Sequence, residues 1–154
     1  MYTMNKKYIK KIQKMVLMLL PEEKRQKKAL LLDDCCSELS RLVASWINEE
    51  DKSSRQVILK GSDVCNTDKS HDILANIKDD RVYLIDPTVW QFFPNENSIF
   101  VGEFLSLDEA IAEATRKYGG DWQKSEGIKD FSPKDKDKWL RIVKDNIKES
   151  LNED

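Results

Sequence analysis

The stretch Ser70-His-Asp-Ile-Leu-Ala-Asn-Ile-Lys-Asp-Asp-Arg-Val-Tyr-Leu-Ile-Asp-Pro-Thr88 holds two apolar runs on either side of the acidic pair Asp79-Asp80. Such runs around a short polar turn predict an antiparallel hairpin, with one strand over 71–77 and the next over 81–86. The turn has no Asn-Gly or Asp-Gly pair, which leaves its type open. In a hairpin centred on Asp79-Asp80, positions 71 and 86 lie near the same end. The chain's one histidine, His71, is thereby brought to a carboxylate, Asp86. A carboxylate in that place fixes the tautomer and orientation of an imidazole.

Reading outward, Gln56-Val-Ile-Leu-Lys60 predicts a further strand and Ser98-Ile-Phe-Val-Gly102 a fourth, with polar loops over 49–55 and 61–69. Upstream, Tyr8, Ile12, Met15, Val16 and Leu19 form one helical stripe opposite Lys7, Lys10, Lys11 and Lys14, ending at Pro21. Pro21-Glu-Glu opens a second, short helix reaching about Leu31. Asp33-Asp34 reads as a helix start, and Cys36, Leu39, Leu42, Val43, Trp46 and Ile47 predict a largely buried helix from about Cys35 to Asn48.

Helix returns downstream. Ser106 and Glu109 have capping-box spacing ahead of Leu107, Ala110, Ile111 and Ala114, and Gly119-Gly120 ends that helix. Ser132-Pro133 starts a last helix, with Trp139, Leu140, Ile142, Val143 and Ile147 inward, before an acidic, frayed end. Helices, then strands, then helices predict an α+β fold rather than a parallel βαβ array. The length of 154 residues, 40% apolar and 35% charged, fits one domain. It divides into basic N-terminal helices (1–32), a core helix and sheet (33–104) and C-terminal helices (105–154).

Residues 1–28 carry nine Lys or Arg against Glu22 and Glu23, and the remainder carries seventeen against twenty-six acids. The basic end reads either as a solvated helix face or as a dock for an acidic partner or membrane surface. Confinement of the basic residues to one end, with no recognised motif, argues against nucleic acid. The apolar run Met15–Leu20 is too short for a signal peptide and no small-residue cleavage site follows it. Three cysteines, two of them adjacent, make a poor disulfide framework and fit a reducing compartment. The expected location is the cytoplasm, or a host or target cell reached without a classical signal peptide.

Cys36 falls at the predicted start of the buried helix. Helix N-termini favour a thiolate over a thiol, and a nearby imidazolium favours it further. The resulting pair is a nucleophile at neutral pH, and the backbone N–H at the helix start can donate to a developing oxyanion. Cys36, His71 and Asp86 thus arrive at element ends where a catalytic triad needs them. Cys35 is an alternative nucleophile. Cys36 is preferred because it shares the helix face of Leu39, Val43 and Trp46.

These residues resemble the papain-like and transglutaminase-like superfamily. Cys36-Ser-Glu-Leu-Ser40 is similar to the Cys-x-x-x-Ser start of the nucleophile helix in papain relatives. His71 opening a strand, with Tyr83-Leu-Ile-Asp-Pro-Thr88 closing the hairpin, looks like the transglutaminase core. The resemblance spans roughly Asp33 to Phe93, and the short Cys-to-His interval suits compact bacterial members. It implies a nucleophilic Cys36, a general acid and base His71, an orienting Asp86, a thioester intermediate, a protein substrate and no cofactor or metal. Such folds run proteolysis, transglutamination, glutamine deamidation or acyl transfer. The leading expectation is a thiol amidohydrolase, a glutamine deamidase of effector or toxin type, with a cysteine protease or transglutaminase-like acyltransferase as the near alternative.

The sequence departs from papain relatives where they carry an oxyanion-hole Gln six residues before the nucleophile, which here is Leu30. Gln91 is a candidate donor by its chemistry, and Trp90 or Phe92 a candidate cover for the His–Asp pair. Two further classes stand beside the enzyme reading. Cys35, Cys36, Cys65 and His71 are potential zinc ligands, but adjacent helical cysteines point about 100° apart and lack the usual spacing. A non-catalytic interaction module with a relict triad would keep the fold and show ordinary thiol reactivity.

Overall fold

The apolar runs of 73–77 and 82–85 pair as expected, with Leu74 opposite Ile85 and Lys78 opposite Arg81 across the Asp79-Asp80 turn. Asp79 takes the left-handed conformation (φ 52°) that a tight turn requires and that Asp tolerates better than most residues. The computed structural model describes residues 6–152. The acidic end at 153–154 and the first five residues of the basic segment lie outside them.

Among the described residues, five α-helices and five strands make up an α+β fold. They run α1 (Lys6–Leu17), a 3₁₀ turn (Glu22–Lys27), α2 (Lys28–Leu31), α3 (Cys36–Glu50), β1 (Arg55–Ser62), β2 (His71–Lys78), β3 (Arg81–Asp86), β4 (Phe100–Phe104), α4 (Leu107–Tyr118), β5 (Asp121–Ile128) and α5 (Pro133–Asn152). The strands form one antiparallel sheet in the order β4-β3-β2-β1-β5.

Side-chain alternation divides the core between the two faces of the sheet. Ile58, Leu74 and Ile85 pack against the buried stripes of α1, α3 and α5, including Ile12, Leu39, Val43 and Ile147. Val57, Leu59, Ile73 and Leu84 face the other way, onto Ala110, Ala114 and Tyr118 of α4. His71 and Asp86 share the strand parity of Ile73 and Leu84, so they belong to the α4 face. Both stand at strand ends, where α3 can be reached around the sheet's edge.

α3 starts at Cys36, just after the Asp33-Asp34 signal, with Cys35 in the cap position, no side chain capping the helix start and Asp34 in the left-handed region (φ 63°). One expectation is corrected. The short helix after Pro21 is split into a 3₁₀ turn and one turn of α-helix. The strand β5 has no counterpart in the sequence reading. The α4 start is as expected, with Ser106 Oγ accepting from the Glu109 amide at 3.1 Å, a cap worth about 1 kcal/mol.

Glycine is required at two places beside the site. A Cβ on Gly120 (φ +77°) would fall 2.1 Å from the Ser62 carbonyl oxygen, and one on Gly61 would fall 2.4 Å from the Trp122 ring. These close approaches bring β1, its following loop and the end of α4 together.

Candidate active site

β2 begins at His71 and β3 ends at Asp86, and the hairpin register brings the two side chains into contact. His71 Nε2 lies 2.8 Å from Asp86 Oδ2, and both residues are buried. Burial alone would push the imidazole down. The Asp86 carboxylate, by charge and by hydrogen bond, together with Cys36, outweighs that and raises His71 to about 10.

Asp86 is fully enclosed and rich in donors. The Thr88 amide (3.0 Å) and hydroxyl (3.2 Å) both donate to its Oδ1, a local turn set by the Asp86-Pro87-Thr88 sequence. The Tyr118 phenol, from the last turn of α4, donates to Oδ2. Burial works against ionising this carboxyl, but the contacts with His71, Tyr118 and Thr88 prevail and hold it below the usual carboxylate range. Burial first, and then Asp86, push the Tyr118 phenol up, so it stays a proton donor.

The other ring nitrogen, His71 Nδ1, is buried and makes no hydrogen bond. Cys36 is the other neighbour close enough to help raise the ring. With Nε2 committed to Asp86, Nδ1 is the ring nitrogen left without a partner. Cys36 itself is partly accessible. One turn along α3, the buried Ser40 hydroxyl donates to the Asp72 carbonyl at 3.4 Å and ties the helix to the strand that carries His71. Because no side chain caps α3, the amides of its first turn are open to an acceptor.

Aromatic rings close the other sides of the imidazole. Phe92 meets it edge-on at 4.8 Å between centroids, Tyr118 lies at 5.4 Å and Trp122 at 6.3 Å. Water is thereby excluded from the His71–Asp86 pair, which strengthens it.

The remaining candidates stand elsewhere. Trp90 is buried on the α3 side, its indole N–H donating to the Glu96 carbonyl at 2.8 Å, and Phe92 takes the covering place instead. Gln91 lies beside the loop before α3, with Nε2 donating to Asp33 Oδ1 at 2.7 Å, so that amide is engaged. Cys35 is buried, its thiol donating to the Leu32 carbonyl at 3.0 Å, and burial pushes it up to about 12. A thiol so placed is a poor nucleophile. Among the described residues no three His, Cys, Asp or Glu side chains gather to hold a metal ion, the Cys35, Cys36, Cys65 and His71 set included. No described helix is long and apolar enough to cross a membrane.

Tyr118 and Trp122 are the site residues that sequence reasoning missed. The one local signal was an aromatic on either side of Gly119-Gly120. Replacing Tyr118 by Phe leaves its ring in place and removes one donor from a buried carboxylate. The expected cost is about 1.5–3 kcal/mol in denaturant unfolding, the range for a hydrogen bond to a charged group.

Compared with known proteins, the chain matches no family model, no curated protein and no solved structure.

Proposed function

We propose that this chain is a thiol amidohydrolase of papain-like or transglutaminase-like architecture, with Cys36 as nucleophile, His71 as acid and base and Asp86 as orienting group. The observation that carries the reading is the buried His71–Asp86 contact, with Nδ1 left unpaired and a partly accessible Cys36 acting on the same ring. A merely structural histidine so deeply buried would be expected to satisfy both nitrogens.

In the proposed reaction the Cys36 thiolate attacks the carbon of a carboxamide, and the oxyanion is met by amides of the first turn of α3. The imidazolium passes its Nδ1 proton to the leaving nitrogen. The C–N bond breaks, ammonia departs, and a thioester remains on Cys36. Neutral His71 then takes a proton from water, whose oxygen attacks the thioester, and collapse returns the thiol and frees a carboxylic acid. The net change is amide plus water to acid plus ammonia, with no redox step.

Glutamine in a protein is the preferred substrate. His71 is 1% exposed and Cys36 only partly accessible, so the reacting carbonyl has to enter a crowded site. A slender side-chain carboxamide fits that approach better than a chain backbone.

The test is incubation with glutamine-containing proteins, reading ammonia, chain cleavage and crosslinking in parallel. Ammonia without cleavage, lost at least 10³-fold in Cys36→Ser, is the expected outcome, on the scale by which removing a catalytic nucleophile acts. A cut chain would make it a protease and an amine adduct an acyltransferase. Turnover unchanged in Cys36→Ser would overturn the mechanism.

A further inference from the structure

At the far end of α3 from Cys36, about 20 Å away at 1.5 Å per residue, a cleft of about 290 Å³ opens between the end of that helix, the start of β1 and the end of β5. Lys52, Arg55, Lys124 and Lys129 surround it, with Phe131 as an apolar wall. All four cations are exposed, and none has an ion-pair partner among the described residues.

The unpaired state of these cations has a structural origin. The acids just before Lys52 and Arg55 are engaged elsewhere, Glu49 with Lys136 at 3.2 Å, Glu50 with Lys11 at 2.7 Å and Asp51 with Lys78 at 2.5 Å, and Asp130, next to Lys129, is not part of the lining. Glu126, on β5 itself, pairs with Arg41 at 2.6 Å. A β-bulge separates Lys124 from Glu126: Ile58 faces Glu126 while Leu59 faces Lys124, leaving Ser125 between them. The bulge sends the acid to the α3 face and the lysine to the other. The floor asks for no ligand of its own, since Gln56 donates to Ser54 at 3.0 Å and accepts from Asn76 at 3.1 Å. No acidic side chain lines the cleft.

We infer that this cleft binds an acidic, extended polypeptide segment of a protein partner. Two observations favour a polypeptide over a compact anion. The cations are strung along the chain, and Lys124 to Lys129 span about 17 Å at strand spacing. β5 is also an edge strand, paired among the described residues with β1 alone, so an added strand can take main-chain hydrogen bonds there while its acidic side chains meet the lysines. Beside the cleft Gly127 presents open space, with nothing within 4 Å of where its Cβ would stand. The segment would run along β5 toward Trp122, which stands against His71. That path suits a substrate-docking site, a role that rests on the proposed reaction; binding itself does not.

The test therefore reads binding alone. A short fluorescein-labelled peptide alternating Glu and Val is titrated with the full chain, by fluorescence anisotropy, at low and at physiological salt. Lys124→Glu/Lys129→Glu is expected to weaken binding at least tenfold, as loss of ~1.4 kcal/mol does. Lys124→Gln/Lys129→Gln should weaken it less, and Lys7→Glu/Lys10→Glu on α1 should leave it nearly unchanged. Three results would overturn the inference: equal binding by the wild type and both cleft variants, an equal loss on altering α1, or displacement of the peptide by inorganic triphosphate as readily as by unlabelled peptide. The last would mark a site for compact phosphate.

Discussion

In the His71→Ala variant, alkylation of Cys36 by iodoacetamide at pH 6 is expected to fall about 100-fold, with the wild-type and variant rates converging above pH 9. A free cysteine, with pKa about 8.5, is only about 0.3% thiolate at pH 6. A cysteine held beside an imidazolium reacts there as a thiolate, at a rate somewhat offset by lower intrinsic nucleophilicity. His71 is raised to about 10 by groups that outweigh its burial, so its charge persists across this range. Removing the ring removes the cation that the proposed mechanism sets beside the Cys36 thiol.

Cys35→Ser is the matched control. Its thiol is buried and donates to the Leu32 carbonyl, so the variant should alkylate like wild type. The modified residue is located by fragmentation mass spectrometry, since Cys35 and Cys36 share any proteolytic peptide. Coincident wild-type and His71→Ala curves would mean that no thiolate–imidazolium pair exists, and the relict-triad interaction module would become the better reading.

The parts of this site that were legible in the sequence are those carried by local pattern. The hairpin of 71–86 announces itself by two apolar runs around Asp79-Asp80, and its register alone places His71 near Asp86. The Ser106–Glu109 cap is likewise a short-range signal. β5 carries no such pattern: only Trp122 is buried along it, and the bulge at Ser125 breaks the alternation that marks a strand. An edge strand with one inward residue looks like a loop until its partner is known.

Tyr118 was hidden for a related reason. Its role is defined by Asp86, thirty-two residues earlier, and only the packing of α4 on the sheet brings them together. Asp33-Asp34 marked the helix start but not what the two side chains do there: Asp34 is spent on a left-handed turn, and Asp33 accepts from Gln91 and, at its carbonyl, from Asn146 at 2.5 Å. Those contacts hold the loop ahead of Cys36, and they leave the helix start without a capping side chain. An uncapped start is locally unfavourable, and it is where the proposed oxyanion would sit. Rules of local structure tend to fail in this way at functional positions.

The largest expected effect on stability is that of Asp86→Ala. The substitution removes the acceptor from His71, Tyr118 and both Thr88 donors at once, inside a site with no solvent to replace it. Breaking a buried pair by deleting one partner costs about 3–5 kcal/mol, because the other group is left charged or unpaired. Asp86→Asn should cost less, since it keeps an acceptor oxygen. The two are compared by urea unfolding across pH. Asp86 is held below its ordinary value of 3.8, so its contribution is present above that pH and is lost as the pH falls through the lower folded value. His71 is raised from 6.5 to about 10, so its contribution is full below 6.5 and is lost as the pH rises through about 10. The pair therefore stabilises the wild type most between about pH 4 and 6.5. The gap between wild type and Asp86→Asn should be widest there and should narrow toward pH 10. A gap constant from pH 4 to 10 would mean that the His71–Asp86 contact is a neutral hydrogen bond, and the charged imidazole on which the proposed activation of Cys36 depends would be absent.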